Sequence, residues 1–203
     1  MKENVAVIFD CLYGGGAERI AGLLSVHLSK KFNVFLFLER TDQIVYEYGG
    51  KIIDCGKSGT EYMEYNVMLA KKRLDIHYSI SFMEFFNYIN IKTKQDDIVI
   101  ISERCNLTCA APHSYYDEMM IRRLYKYADH IAAISDGVRW GLINEYGIPE
   151  EKITTIYNFT DQAGIVKKSN ENSSLFRKNA GKLIVSIGRL EKQKNHRRLL
   201  YQF

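Results

Sequence analysis

Short runs rich in β-branched and aromatic residues alternate along this chain with longer segments of helical spacing, and that alternation restricts the fold more than any other feature. The runs are "VAVIF" (5–9), "NVFLFLE" (33–39), "KIIDCG" (51–56), "HYSISF" (77–82), "DIVIISE" (97–103), "HIAAIS" (130–135) and "KITTIYN" (152–158). Near-continuous apolar runs of this length read as strands buried on both faces, and parallel strands need a crossover, usually a helix, between each pair. The intervening segments are long enough to supply one. The predicted class is α/β, a Rossmann-like doubly wound parallel sheet with right-handed crossovers. The first helix is expected over 17–31, with Ile20, Leu23, Leu24, His27 and Leu28 as its buried stripe. His27 on that stripe reads as a packing histidine rather than a catalytic one.

After the last run comes "QAGIVKKSNENSSLFRKNA", polar and weakly periodic, which reads as an interdomain linker. "KLIVSIG" then restarts the pattern as a fresh strand, and "NHRRLLYQF" opens a helix. The expected organisation is a Rossmann-like domain over 1–165, a linker over 166–180, and the first strand and partial helix of a second Rossmann-like domain over 181–203.

Composition excludes some classes of function. The formal net charge is +4, with 28 basic against 24 acidic residues, so no strong field favours nucleic acid. Asp10 closes the first apolar run too early for a signal peptide, and no run approaches the roughly 20 apolar residues of a membrane span. Cys11, Cys55, Cys105 and Cys109 then read as reduced thiols of a cytoplasmic protein.

Several groups of residues carry chemistry. Gly14, Gly15 and Gly16 lie between a strand and a helix. Glycine allows φ > 0 and close approach of a ligand to backbone amides, and the helix directs its positive end at the same spot. A phosphate or carboxylate would suit it; a tight turn holding no ligand is the alternative. The loop departs from G-x-G-x-x-G, and Glu39 alone stands where a ribose-binding acid would fall, so a nicotinamide dehydrogenase is disfavoured. Arg189 and Lys194 follow the expected strand "KLIVSIG", with Gly188 allowing a bend; two cations there could neutralise a departing diphosphate, or simply face water.

In "AAISDGVRWGLINEYGIPEEK", Ser135 reads as an N-cap, and Gly147 with Pro149 as a helix stop. Cys105, Cys109 and His113 recur every four residues, but Pro112 argues against a helix and no fourth ligand is evident, so no metal site is expected. In "SYYDEMMIRRLYKYAD" the basic residues Arg122, Arg123 and Lys126 stand among aromatic residues. Either Met120, Leu124 and Tyr127 pack on the sheet, or the helix rests on an anionic membrane.

Taken together, "GGGAER", "ISDGVRWGLINEYGIPEEKITTIYN" and "SIGRLEKQKNHRRLL" resemble, in order and spacing, the bacterial retaining glycosyltransferases of family four, which have the GT-B fold. The resemblance implies a nucleotide-sugar donor as substrate, no cofactor or required metal, and a lipid-linked or growing surface polysaccharide, of capsule or lipopolysaccharide type, as acceptor. It implies that Gly14, Gly15 and Gly16 line the donor diphosphate and that Arg189 and Lys194 grip it during departure. "ISERCN" is similar to a "SERN" segment in the polysaccharide-assembling branch, which implies Glu103 and Arg104 on the acceptor side of the cleft. The proline usual after that asparagine is absent. His113, in the loop after the same strand, is a further candidate near the reacting sugar. The location this implies is cytoplasmic, peripheral at the inner face of the cell membrane.

The family's two-glutamate motif falls beyond "GRL", whereas this chain ends at Phe203. The expectation is therefore a chain short of most of the donor domain, either a truncated transferase or an inactive binding module needing a partner chain.

Overall fold

The computed structural model describes residues 2–105, 107, 115–160, 162–171, 184–190 and 194–202. The chain forms two compact units, residues 1–159 and 160–203.

The first unit is built on a seven-stranded sheet of order β3-β2-β1-β4-β5-β6-β7. Its strands are β1 (Asn4–Phe9), β2 (Asn33–Leu38), β3 (Lys51–Asp54), β4 (Tyr78–Phe82), β5 (Ile98–Glu103), β6 (His130–Ala133) and β7 (Ile153–Thr155). Every neighbouring pair is parallel, with Val5 opposite Val34 on one side and Tyr78 on the other. The crossovers carry α1 (Gly16–Ser29), α2 (Met63–Arg73), α3 (Glu84–Lys92), α4 (Tyr115–Leu124) and α5 (Asp136–Asn144).

Strand periodicity divides the core. Ala6 and Ile8 pack with Met63 and Val67 of α2 and with Phe86 and Ile89 of α3. Val7 and Phe9 point the opposite way, toward Ala21 of α1. A third cluster joins Val99, Ile101 and Ile131 to Ile121, Tyr125, Val138 and Leu142. The doubly covered α/β sheet expected from the sequence is present.

Two helices differ from expectation. The closest approach of α1 is made by Ala21, Gly22 and Ser25, while Ile20, Leu24 and Leu28 are only partly buried. The cause lies in the β2–β3 connection. A Cβ on Gly22 would lie 2.5 Å from the Glu47 carbonyl oxygen, and Ser25 Oγ donates to Gly22 O at 2.6 Å and accepts from the Gly49 amide at 2.9 Å. The predicted packing histidine, His27, is therefore exposed, edge-on to Phe159 at 5.8 Å. After α4, a 3-10 turn over Tyr125–Tyr127 shifts the helical phase. Tyr125 becomes fully buried, and Tyr127, expected on the sheet, is 59% exposed.

The second unit contains α6 (Gln162–Ser169), which begins the stretch read as linker, and α7 (His196–Tyr201), the helix expected at the chain's end. The expected strand "KLIVSIG" is not observed over its described residues 184–188. A parallel strand is held by ladder bonds to neighbours, and no described residue pairs with these; Ile187 is 94% exposed. Among the described residues no helix is long and apolar enough to cross a membrane.

Candidate functional site

The strand order reverses direction between β1 and β4, and the crevice outside the carboxyl ends of strands at such a point is where open α/β sheets bind ligands. The loop after β1 enters that crevice. Asp10 and Arg40 pin its start through an ion pair in which Arg40 Nε donates to Oδ1 at 2.7 Å. The Arg40 guanidinium also lies 5.2 Å over the Tyr13 ring. Gly14 then takes φ +91°, a region disfavoured for any residue with a Cβ. Gly15 is the extended N-cap of α1 and has no side-chain cap bond, so the first amides of α1 stay open to an anion.

Glu18 modifies that cradle. Its carboxylate folds back over Gly15, where a Cβ would lie 2.2 Å from Oε2, and Oε2 is buried without a hydrogen-bond partner. Its Oε2 thus overhangs the turn without bonding an amide, and an anion entering there would have to displace it.

The adjoining loops complete the crevice wall. After β4, Met83 adopts φ +72°, strained for a residue other than glycine, and its amide reaches Ser102 O at 3.4 Å. After β5 come Glu103 and Arg104. Glu103 is fully buried. Its Oε1 accepts the amides of Arg104 at 2.9 Å and Cys105 at 3.2 Å, and its Oε2 accepts the Tyr125 hydroxyl at 2.7 Å. Burial, with the nearby charge of Glu84, pushes its carboxyl up to about 8 against those three donors. The Arg104 guanidinium stacks over Phe82 at 5.5 Å and donates to Asn158 Oδ1. Burial draws it below its ordinary value, while the charges of Glu103 and Glu18 pull it back up.

Of the residues predicted from sequence, Gly14, Gly15, Gly16, Glu103 and Arg104 thus lie at the carboxyl edge of one sheet. Glu103, expected on the acceptor side of the cleft, is fully buried with its carboxyl on the amides of Arg104 and Cys105. Arg189 and Lys194 belong to the second unit. There a Cβ on Gly188 would lie 3.3 Å from Lys194 Cγ, and His196 Nε2 is 3.1 Å from Arg189 O. His113 and Cys109 lie outside the described residues. Among the described residues no cluster of three histidine, cysteine or acidic side chains could hold a metal.

Asn158, Glu18 and Met83 were not singled out from sequence. Asn158 had one available signal, a polar residue just past the carboxyl end of an apolar run. Glu39 accepts a bond from Thr60.

Two concavities lie elsewhere on the first unit. One, of about 530 Å³, is lined by Cys55, Lys57, Asn66, Lys72 and Arg73. The other, of about 420 Å³, lies on α4 among Tyr115, Glu118, Met119, Arg122 and Arg123.

Residues 98–163 match the family model of Glycosyltransferase Family 4. Along 98% of its length the chain is 28% identical to the N-acetylgalactosamine-N,N'-diacetylbacillosaminyl-diphospho-undecaprenol 4-alpha-N-acetylgalactosaminyltransferase of Campylobacter jejuni, of which it spans 58%. Among solved structures it is similar to Anabaena Alr3699/HepE in complex with UDP and glucose, with TM-score 0.59 and 13% identity over 78% of this chain and 45% of that one. A glycosyltransferase from Rickettsia africae matches with TM-score 0.51 and 10% identity over 85% of this chain and 51% of that one. At such identities the structural matches establish the α/β fold. The sequence matches make the chain similar to family 4 glycosyltransferases.

Proposed function

We propose that this chain acts in a glycosyltransferase that moves a sugar from a nucleotide-diphosphate donor to a lipid-linked or growing surface glycan. One observation carries the reading: Arg104, seated on Phe82 and Asn158, lies at the same carboxyl edge of the sheet as the Gly14–Gly16 turn and feels the charge of Glu18 in the first turn of α1. A rigid guanidinium next to open helix amides suits a phosphate-bearing substrate. Similarity to a transferase named for a diphospho-undecaprenol saccharide supports the lipid-linked acceptor.

In this reading the first unit takes the acceptor and holds its hydroxyl for attack, where proximity supplies much of the acceleration. Arg189 and Lys194 of the second unit offset the charge growing on the departing diphosphate without a metal, and His113 stands near the reacting sugar. The anomeric configuration is retained. The protein works in the cytoplasm, peripheral at the inner membrane face. There α4 meets anionic lipid through exposed Tyr115, Tyr116 and Met119 beside Arg122, Arg123 and Lys126.

Titrating the isotopically labelled chain with UDP and with a water-soluble short-chain polyprenyl diphospho-sugar tests this. Amide shifts should move at Gly14–Gly16 and Arg104, and Arg104→Ala should weaken the lipid analogue roughly tenfold, as loss of about 1.4 kcal/mol does. Shifts confined to other faces, or an unaffected Arg104→Ala, would refute it.

A second reading, a binding module completed by a partner chain, draws on the exposure of Ile187 and Leu190, each 94%. It predicts a stable complex with such a partner by size exclusion and no transfer to any glycan.

A further inference from the structure

A line of buried side chains runs through the first unit from α2 to the carboxyl end of β5, and every link points the same way. Lys71 Nζ donates to Asn90 Oδ1 at 2.7 Å, and Asn90 Nδ2 to Ser81 Oγ at 3.2 Å. Ser81 Oγ donates to Asn87 Oδ1 at 2.8 Å, Asn87 Nδ2 to Tyr125 Oη at 3.1 Å, and Tyr125 Oη to Glu103 Oε2 at 2.7 Å. Lys71 is held at its own end by Asp97 at 2.8 Å. The line starts at an ammonium and ends at a carboxyl, and bonds aligned in one direction polarise one another. It leaves Glu103 no freedom to turn, and Oε1 faces the two backbone amides that open the loop after the strand.

We propose that Glu103 is a positioning residue: it clamps the Arg104 and Cys105 amides and thereby aims the Arg104 guanidinium at a substrate phosphate. The inference rests on the reading of Arg104 as a phosphate contact. The clamp is the acceptor atom Oε1, not the charge, and that difference can be tested. Above about pH 8, where the carboxyl is ionised, Glu103→Gln keeps an acceptor oxygen and loses the charge. Glu103→Met keeps the volume and loses both.

The probe is inorganic pyrophosphate titrated into the full 203-residue chain at about pH 9, where the Glu103 carboxyl is ionised. The readouts are the affinity and the amide proton shifts of Arg104 and Cys105, with thermal melts to verify folding. Glu103→Gln should bind within about twofold of the parent, and Glu103→Met roughly tenfold more weakly with both amides moved upfield, because a charge-assisted contact must be aimed to count. A role through charge alone would make the two variants alike, with pyrophosphate bound more tightly by both; that result overturns the inference. If Glu103→Met does not fold, Tyr125→Phe removes the anchor of Oε2 and should move the same amides upfield by less, whereas unmoved amides count against the clamp. Arg104→Ala keeps the two readings apart. If it binds pyrophosphate as the parent does, or if the parent binds none, the phosphate reading of Arg104 fails and the role in aiming it falls with it. The amide shifts of the Gln and Met variants then judge the clamp by themselves.

Discussion

Glu103 meets charged or titratable groups from each element around it: Glu84 and Tyr88 of α3, Tyr125 after α4, Tyr146 after α5, and Arg104 of its own loop. Its carboxyl moves from 4.5 up to about 8 on folding, so between those values the native state holds a proton that the unfolded chain has released. The associated stability is complete below about 4.5 and is lost as pH rises through about 8. Urea midpoints taken from pH 5 to 8.5 should fall for the parent chain, and Glu103→Gln should flatten the fall; parallel curves would contradict it. At Gly15 the constraint is steric. Any side chain there displaces the Glu18 carboxylate, so Gly15→Ala should shift the amides of the first turn of α1 while melting within a few degrees of the parent. "ISERCN" made Glu103 and Arg104 visible in the sequence. The inward turn of Glu103 was not legible, because it depends on Tyr125, 22 residues on.

Among the elements, the strands were the most legible, because burial on both faces writes a near-continuous apolar run at β1, β2, β4 and β5. Helix α5 was equally plain. Ser135 Oγ accepts the Val138 amide at 3.3 Å, and Gly147 closes the helix at φ +68°, with the Ile148 amide on Leu142 O at 3.0 Å. Ser135→Ala should cost about 1 kcal/mol, read by urea denaturation. Helix α1 was misread because its buried face follows small residues. A moment built on leucines cannot register a backbone segment lying across Gly22. Gly22→Ala drives a methyl against the Glu47 carbonyl and should cost roughly 1–3 kcal/mol as overpacking does. The turn after α4 escaped for a related reason, since a change of helical pitch rotates which tyrosine faces inward without altering the composition.

Across the whole molecule, the buried Lys71–Asp97 pair has both side chains at 1% exposure, and burial pulls the Lys71 ammonium below its ordinary value despite Asp97. Removing one partner strands the other charge, so Lys71→Met should cost about 3–5 kcal/mol, with Lys71→Met/Asp97→Leu recovering much of it. Lys71 shares the last turn of α2 with Lys72 and Arg73, a run of cations that by itself gives no sign of burial, because partners 19 and 26 residues away decide it. The first unit carries its own core, so residues 1–159 expressed alone should keep the amide spectrum they have in the full chain; a collapsed spectrum would show that they do not fold by themselves.

The central place of β1 also sets a timetable for folding. When the first strand leaves the ribosome, its β2 neighbour follows within about thirty residues, since Val5 pairs with Val34. Its other edge waits for β4, with the Asn4 amide meeting His77 73 residues later. Closing so long a loop before any contact compensates for it makes folding slow. Until β4 arrives, the nascent chain exposes one unpaired edge of its most apolar strand, the interval in which a chaperone would matter most.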